Sequence, residues 1–173
     1  EGISYIAGSD LPALIINVQR GGPGLGGIQP SQADYWQATK ATGHGDFQLL
    51  VFAPSTVQEM VDLVADAFDL ADQYRMPAMI LADGMLGQMM EPVEIRSSSD
   101  RKPIEKPWAT NGHQGKRAHN IVNSLYLKAP DLEALVRERF KRYEEIKKTQ
   151  QRAEEYLVED ADYVVVAYGA SAR

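Results

Sequence analysis

Arg20 and the glycines after it are the residues in this sequence best suited to binding chemistry. Arg20-Gly-Gly-Pro-Gly-Leu-Gly-Gly27 follows the apolar, β-branched run Ala13-Leu-Ile-Ile-Asn-Val18. That order predicts a buried strand with the glycines at its carboxyl end, where open α/β sheets bind ligands. A guanidinium can grip a carboxylate through two parallel N–H bonds, and glycines let a small molecule approach the backbone closely. The same residues allow a plainer reading, in which Arg20 pairs with Asp34 or another local carboxylate and the glycines only turn the chain. Gly22, Gly24 and Gly27 satisfy G-x-G-x-x-G. A dinucleotide fingerprint needs a helix starting inside the glycines, however, and here the next helix signal waits until Ser31. No Gly-Lys-Ser/Thr follows, which excludes a phosphate-cradling P-loop.

Other candidate groups are sparser. His44-Gly45-Asp46 could hold a carboxylate-oriented imidazole for acid–base work, or simply cap a turn. His113 and His119 lie far along the chain from His44 with no further ligand cluster, so no metal site is expected. Met85, Met89 and Met90 suit packing or an interface, with an apolar substrate pocket as the other use. The chain has no cysteine. That removes disulfides, Cys-ligated zinc, an iron–sulfur cluster held by this chain alone, and a cysteine nucleophile.

The elements that must position these groups can be read from periodicity. Ser31 with Asp34 predicts the start of a short helix running to Thr42. Gln48–Ala53 and Pro77–Ala82 read as further strands. Between them, Val57–Tyr74 has Val57, Val61, Val64, Ala65, Phe68 and Ala71 at helical spacing, with Glu59, Asp62, Asp66, Asp69 and Asp72 largely opposite. Pro77 ends that helix. Strands alternating with helices imply parallel pairing, so the fold class is α/β.

The 173 residues carry 18 Lys and Arg against 24 Asp and Glu, for a net charge of −6, which argues against a sequence-independent nucleic-acid binder. The charges are unevenly spread. Residues 1–95 hold three cations and twelve anions, whereas residues 96–130 hold seven cations and two anions. This basic connection has two readings: a partner for the acidic remainder, or a solvated loop. Beyond it, Asp131 begins a long helix expected to reach residue 160, carrying Leu132, Leu135, Val136, Phe140, Tyr143, Ile146, Ala153 and Leu157. Glu133/Arg137, Glu138/Arg142 and Glu144/Lys148 are the predicted i, i+4 pairs, on a helix that reads as a linker between domains. Tyr163-Val-Val-Val-Ala-Tyr168-Gly169 reads as the first strand of a second α/β domain. The expected divisions are therefore 1–95, 96–130, 131–160 and 161–173. No apolar run reaches the roughly 20 residues of a membrane span, and no signal-peptide pattern is present, so a cytoplasmic protein is expected. With no methionine at Glu1 and a βα turn just begun at Gly169, the chain reads as a piece of a larger protein.

Several stretches together resemble a known family. These are Asn17-Val-Gln-Arg-Gly-Gly-Pro-Gly-Leu-Gly-Gly-Ile-Gln-Pro-Ser-Gln-Ala-Asp-Tyr-Trp-Gln-Ala38, Gly43-His-Gly-Asp46, Ala53-Pro54-Ser55, Leu81-Ala-Asp-Gly84 and Glu91-Pro92. They resemble the alpha subunit of the 2-oxoacid:ferredoxin oxidoreductases. Gly24 and Leu25 stand where the 2-oxoglutarate enzymes tend to have Ser and Thr, so the likeness is greatest to enzymes acting on 2-oxoisovalerate and other branched-chain 2-oxoacids.

The resemblance implies a parallel-sheet thiamine diphosphate-binding fold of the pyrimidine-domain type in residues 1–95, with a domain like the C-terminal one of transketolase starting near 161. It implies oxidative decarboxylation of a 2-oxoacid to acyl-CoA, with coenzyme A as acceptor and ferredoxin taking the electrons. It further implies an oligomer with beta, gamma and delta-type partner subunits, which would hold the diphosphate–Mg site and the iron–sulfur clusters. Arg20, Gly24 and Leu25 would bind substrate, Arg20 through its carboxylate. The family's catalytic glutamate is expected before Glu1, so none is nominated here, and the isolated fragment is expected to be inactive. Other readings stay open: a pyruvate or 2-oxoglutarate enzyme of the same family, a nucleotide-binding regulatory or scaffold module using Gly22–Gly27, or a purely structural subunit. No nucleic-acid or membrane partner is expected.

Overall fold

The structure, a computed structural model, describes residues 1–40, 43–97 and 102–173. In chain order the elements are α1 (Gly2–Gly8), β1 (Ala13–Gln19), α2 (Tyr35–Lys40), β2 (Leu50–Phe52), α3 (Val57–Tyr74), β3 (Pro77–Asp83) and α4 (Ala129–Thr149). The three strands form one parallel sheet in the order β1-β3-β2, as the α/β reading requires. All seven residues of β3 are buried. Its two faces serve two cores. Ala78, Ile80 and Ala82 pack with Leu63, Ala67, Leu70 and Ala71 of α3 and with Tyr143 and Ile146 of α4. Met79 and Leu81 pack with Ala38 of α2, Ile3 of α1, Ile15 and Tyr168. Alanines facing alanines let α3 lie close on the sheet.

Local signals place α3 well. Thr56 caps it by accepting from the Glu59 N–H at 3.0 Å, and Arg75 ends it in the left-handed region at φ 50°. Its buried face differs from the expected one. Met60, Leu63, Val64, Ala67, Leu70 and Ala71 form the inward series, and Phe68 is left half exposed. The helix is apolar on more than one side, so contact with the small residues of β3 decides which side turns inward.

Four other expectations need correction. Among the described residues β1 is an edge strand rather than a fully buried one: Ile16 is 58% and Val18 48% exposed. The second helix starts at Tyr35, not after Ser31, because residues 33–34 form a turn whose Asp34 N–H is held by Gln19 Oε1 at 3.0 Å, and its expected terminus at Thr42 lies outside the described residues. The helix α4 stops at Thr149, not 160. Gln150 donates to the Tyr74 hydroxyl at 3.1 Å, and Arg152 pairs with Asp66 at 2.8 Å while lying over the Phe52 ring, which draws the chain off the helix axis. Nor is α4 a spacer, since Tyr143 and Ile146 complete the main core. Of its predicted pairs, Glu133/Arg137 forms at 2.7 Å, Glu144 pairs with Lys147, and Arg142 turns inward to Asp10.

Residues 163–167 are exposed and join no sheet among the described residues. The basic connection does find acids. Arg96 meets Asp62 at 3.0 Å and Asp66 at 3.3 Å, and Lys106 meets Asp72 at 2.7 Å, all on the outer face of α3. Gln58 and Glu94 exchange two hydrogen bonds, and the Arg75 guanidinium lies 4.5 Å above Trp108.

Candidate functional site

Residues 20–30 close on themselves at the carboxyl end of β1. Arg20 and Pro30 form an antiparallel bridge, the Gly21 N–H donates to Gln29 O at 3.1 Å, and the Gly27 N–H donates to Gly21 O at 2.8 Å. Gly22–Pro23 is a cis peptide. At Gly26 (φ 54°) any Cβ would stand 1.8 Å from the Gly21 carbonyl oxygen, so only glycine fits. Gly24 (φ 63°) has open space around it instead.

Arg20 folds over this loop. Its Nη1 donates to the carbonyls of Leu25, Gly27 (3.2 Å) and Gly21 (3.5 Å). Neither the Asp34 pair nor another carboxylate partner forms among the described residues. Asp34 instead accepts from Asn17 Nδ2 at 3.1 Å. The structure thus brings Arg20, Gly24 and Leu25 into one loop, with the Leu25 side chain 91% exposed at its tip. Three loop carbonyls on one nitrogen hold the guanidinium in place and leave its Nε–Nη2 edge without a protein partner among the described residues.

The floor of the loop was not evident in the sequence. Gln19 is fully buried; its Oε1 accepts from the Asp34 N–H at 3.0 Å and its carbonyl from the Gly84 N–H at 3.0 Å, while among the described residues its Nε2 has no partner within ordinary hydrogen-bond geometry and lies towards the Tyr168 hydroxyl. Opposite it in register stands Asp83, 3% exposed. Asp83 Oδ1 accepts from the Met85 and Leu86 N–H groups at 3.1 Å, and Oδ2 from the Ala170 N–H at 2.7 Å. Gln32 and Tyr168 add a second tie, with Gln32 Nε2 donating to Tyr168 O at 2.7 Å and the two tyrosine rings of Tyr35 and Tyr168 5.8 Å apart. Burial raises the Tyr168 hydroxyl pKa. A buried glutamine at a strand end reads as an ordinary polar residue in sequence; the signal available was Asp83-Gly84 directly after an all-apolar strand.

His44 stands apart from this group. Its Nε2 lies 3.3 Å from Glu1 Oε1, both side chains are exposed, and Asp46 is not its partner. The adjoining cavity, of about 100 Å³, is lined by Ala38, Gly43, His44 and Asp46 and is too small for a cofactor-sized ligand. His113 Nε2 and His119 Nδ1 are 3.2 Å apart in the basic connection. Among the described residues no group of three metal-ligating side chains assembles. Leu86 of the methionine segment is buried, whereas Met85 and Met90 are exposed.

Comparison with known proteins gives four findings. The family model for the thiamine diphosphate-binding region of pyruvate flavodoxin/ferredoxin oxidoreductase matches residues 1–162. Ketoisovalerate oxidoreductase subunit VorB of Methanothermobacter marburgensis is 47% identical over 173 residues, which is 100% of this chain and 49% of that protein. 2-Oxoglutarate synthase subunit KorA of Methanothermobacter thermautotrophicus is 41% identical over 109 residues, 61% of this chain and 27% of that protein. Among solved structures, a 2-oxoglutarate:ferredoxin oxidoreductase from Magnetococcus marinus superposes with a TM-score of 0.69 at 22% identity, over 94% of this chain and 33% of that one. It shares the fold. The chain spans about half the length of the VorB relative it matches.

Proposed function

The chain belongs to the pyruvate flavodoxin/ferredoxin oxidoreductase thiamine diphosphate-binding family, and on that footing we propose that it is part of the alpha-type subunit of a branched-chain 2-oxoacid:ferredoxin oxidoreductase. The reaction converts 2-oxoisovalerate and coenzyme A to the acyl-CoA, carbon dioxide and a proton, with the two electrons passing to two ferredoxins. The observation that carries this reading is the extent of likeness to the ketoisovalerate subunit, 47% over the whole chain, against 41% over 61% of it for the 2-oxoglutarate synthase subunit.

The loop chemistry supports the same substrate class. With Nη1 committed to the loop, the Nε–Nη2 edge of Arg20 is the fork that receives the substrate carboxylate. Gly24 leaves room for the substrate beside the backbone. Leu25 presents an aliphatic surface and no hydrogen-bond donor, which suits a branched alkyl chain and leaves a second carboxylate unsatisfied. His44, paired with Glu1 in an exposed position, has no role in this scheme.

Thiamine diphosphate supplies the decarboxylation chemistry when bound, but the residues here do not fit its magnesium diphosphate end. Asp83 is committed to three backbone N–H groups, and among the described residues no group of three His, Asp or Glu side chains stands together to hold a cation. We therefore assign the metal, the diphosphate and the iron–sulfur clusters to beta, gamma and delta-type partner subunits. A second domain of the transketolase C-terminal type begins near residue 161 in this scheme. Among the described residues no helix is long and apolar enough to cross a membrane, and the proposal places the complex in the cytoplasm with coenzyme A and ferredoxin. The complete complex, assayed for coenzyme A-dependent viologen reduction, is expected to turn over 2-oxoisovalerate; activity with none of the 2-oxoacids would overturn the reading.

A further inference from the structure

Residues 163–167 are exposed, with Val165 and Val166 at 89% and 93%, yet the next residues sink onto the end of the sheet. Tyr168 stacks on Tyr35 and exchanges hydrogen bonds with Gln32, through Gln32 Nε2 to its carbonyl and through its own hydroxyl to Gln32 O at 3.4 Å. Gly169 is buried at φ 60°, where a Cβ would stand 2.7 Å from Asp83 Oδ2 and 2.8 Å from Gln32 Nε2. Ala170 donates its N–H to Asp83, and Arg173 pairs with Glu91. Of these contacts, the Ala170 N–H bond and the close approach of Gly169 meet the Asp83 carboxylate at the carboxyl end of the central strand, and the others fasten the same segment around it.

The other side of that carboxylate reaches the glycine loop. Asp83 Oδ1 shapes the turn at Met85 and Leu86, and Gly84 in that turn donates to Gln19 O. A Cβ at Gly84 would meet Gln19 O at 3.2 Å and Pro30 Cα at 3.3 Å, so the turn is packed against both stems of the loop. Gln19 precedes Arg20, and Pro30 is the bridge partner of Arg20.

We propose that Asp83 is a positioning residue that latches residues 168–171 to the carboxyl end of the sheet and, through Gly84, sets the stems of the Arg20 loop. The segment after α4 thereby governs how well the loop is ordered for substrate. This rests on the reading of the Arg20 loop as the 2-oxoacid site. The coupling runs through contiguous packed and hydrogen-bonded groups, the physical requirement for such a link.

The two oxygens of Asp83 allow a selective test. In Asp83→Asn the amide oxygen is best placed towards the two N–H groups of Met85 and Leu86, which turns the NH₂ against the Ala170 N–H and breaks only the latch. Gly169→Ala breaks it from the other side. In the complete complex, both variants are expected to raise hydrogen exchange in peptides covering 168–171 and 20–30, and to raise the KM for the 2-oxoacid about three- to tenfold with kcat within about twofold. Unchanged exchange at 168–171 in both variants would overturn the latch. Faster exchange at 168–171 with the 20–30 peptide and KM unmoved would overturn the coupling. Should the parent complex turn over no 2-oxoacid, the substrate reading fails, and the two exchange measurements still decide the latch and its reach to the loop.

Discussion

Arg20 does two things with one guanidinium. Its Nη1 closes the glycine loop, and among the described residues no protein group meets the remaining edge, the one proposed to take the substrate carboxylate. Lysine could not do both, because its ammonium lacks the planar fork. Arg20→Ala is therefore expected to raise the KM for the 2-oxoacid about 10- to 100-fold in the complete complex, the range for losing a charge-assisted bidentate pair; steady-state kinetics with an unchanged kcat/KM would remove Arg20 from the site. The sequence made Arg20 and its glycines legible because strand-then-glycine order is local. It could not show that the guanidinium would turn to carbonyls rather than to Asp34, since that depends on where the loop folds back.

Asp10 is a second residue whose importance is tertiary. Burial raises its pKa, but hydrogen bonds and charge from Arg139 and Arg142 outweigh this and hold the carboxyl below the usual range. A carboxylate with a depressed folded pKa stabilises the fold above its ordinary value of about 3.9, and that contribution fades as pH falls through the lower folded value. Asp10→Asn leaves Arg139, only 6% exposed, without its counter-charge. The expected cost is about 3 kcal/mol at pH 7, shrinking below about pH 4, read by urea unfolding across that range.

At the scale of elements, α4 matters most. It supplies Tyr143 and Ile146 to the core shared by β3 and α3, and its Arg139 and Arg142 hold the turn after α1. Ile146→Ala is expected to destabilise by about 2–4 kcal/mol in chemical denaturation, whereas a free spacer helix would show almost no loss. The ends of α3 were readable because Thr56, Glu59 and Pro77 act within a few residues of themselves. The end of α4 was not, because Tyr74, Asp66 and Phe52 terminate it from 76 or more positions away. The exposed face of β1 was equally hidden. An apolar run looks the same in an edge strand as in a central one.

For the whole molecule, the separation of charge along the chain is also a separation in space that folding closes. The acids of α3 meet Arg96, Lys106 and Arg152 from the connecting segments. These pairs are partly exposed and individually weak. Raising the salt concentration to about 1 M is expected to increase hydrogen exchange in residues 92–97 and 102–108 while leaving β3 protected.

The chain covers about half of its VorB relative, and among its described residues no group of three metal-ligating side chains assembles. Calorimetry of the 173-residue chain with thiamine diphosphate is accordingly expected to show no micromolar binding. Fold class and the loop could be read from the sequence. The latch proposed at Asp83 could not, because Ala170 reaches that carboxylate only after the sheet has formed.

The branched-chain 2-oxoacid site proposed at the Arg20 loop is decided by kcat/KM in the complete complex with 2-oxoisovalerate and 2-oxoglutarate side by side. The expected result is a preference of at least about tenfold for 2-oxoisovalerate, since a loop tipped by Leu25 leaves a second carboxylate unpaired. Equal or better use of 2-oxoglutarate would contradict it.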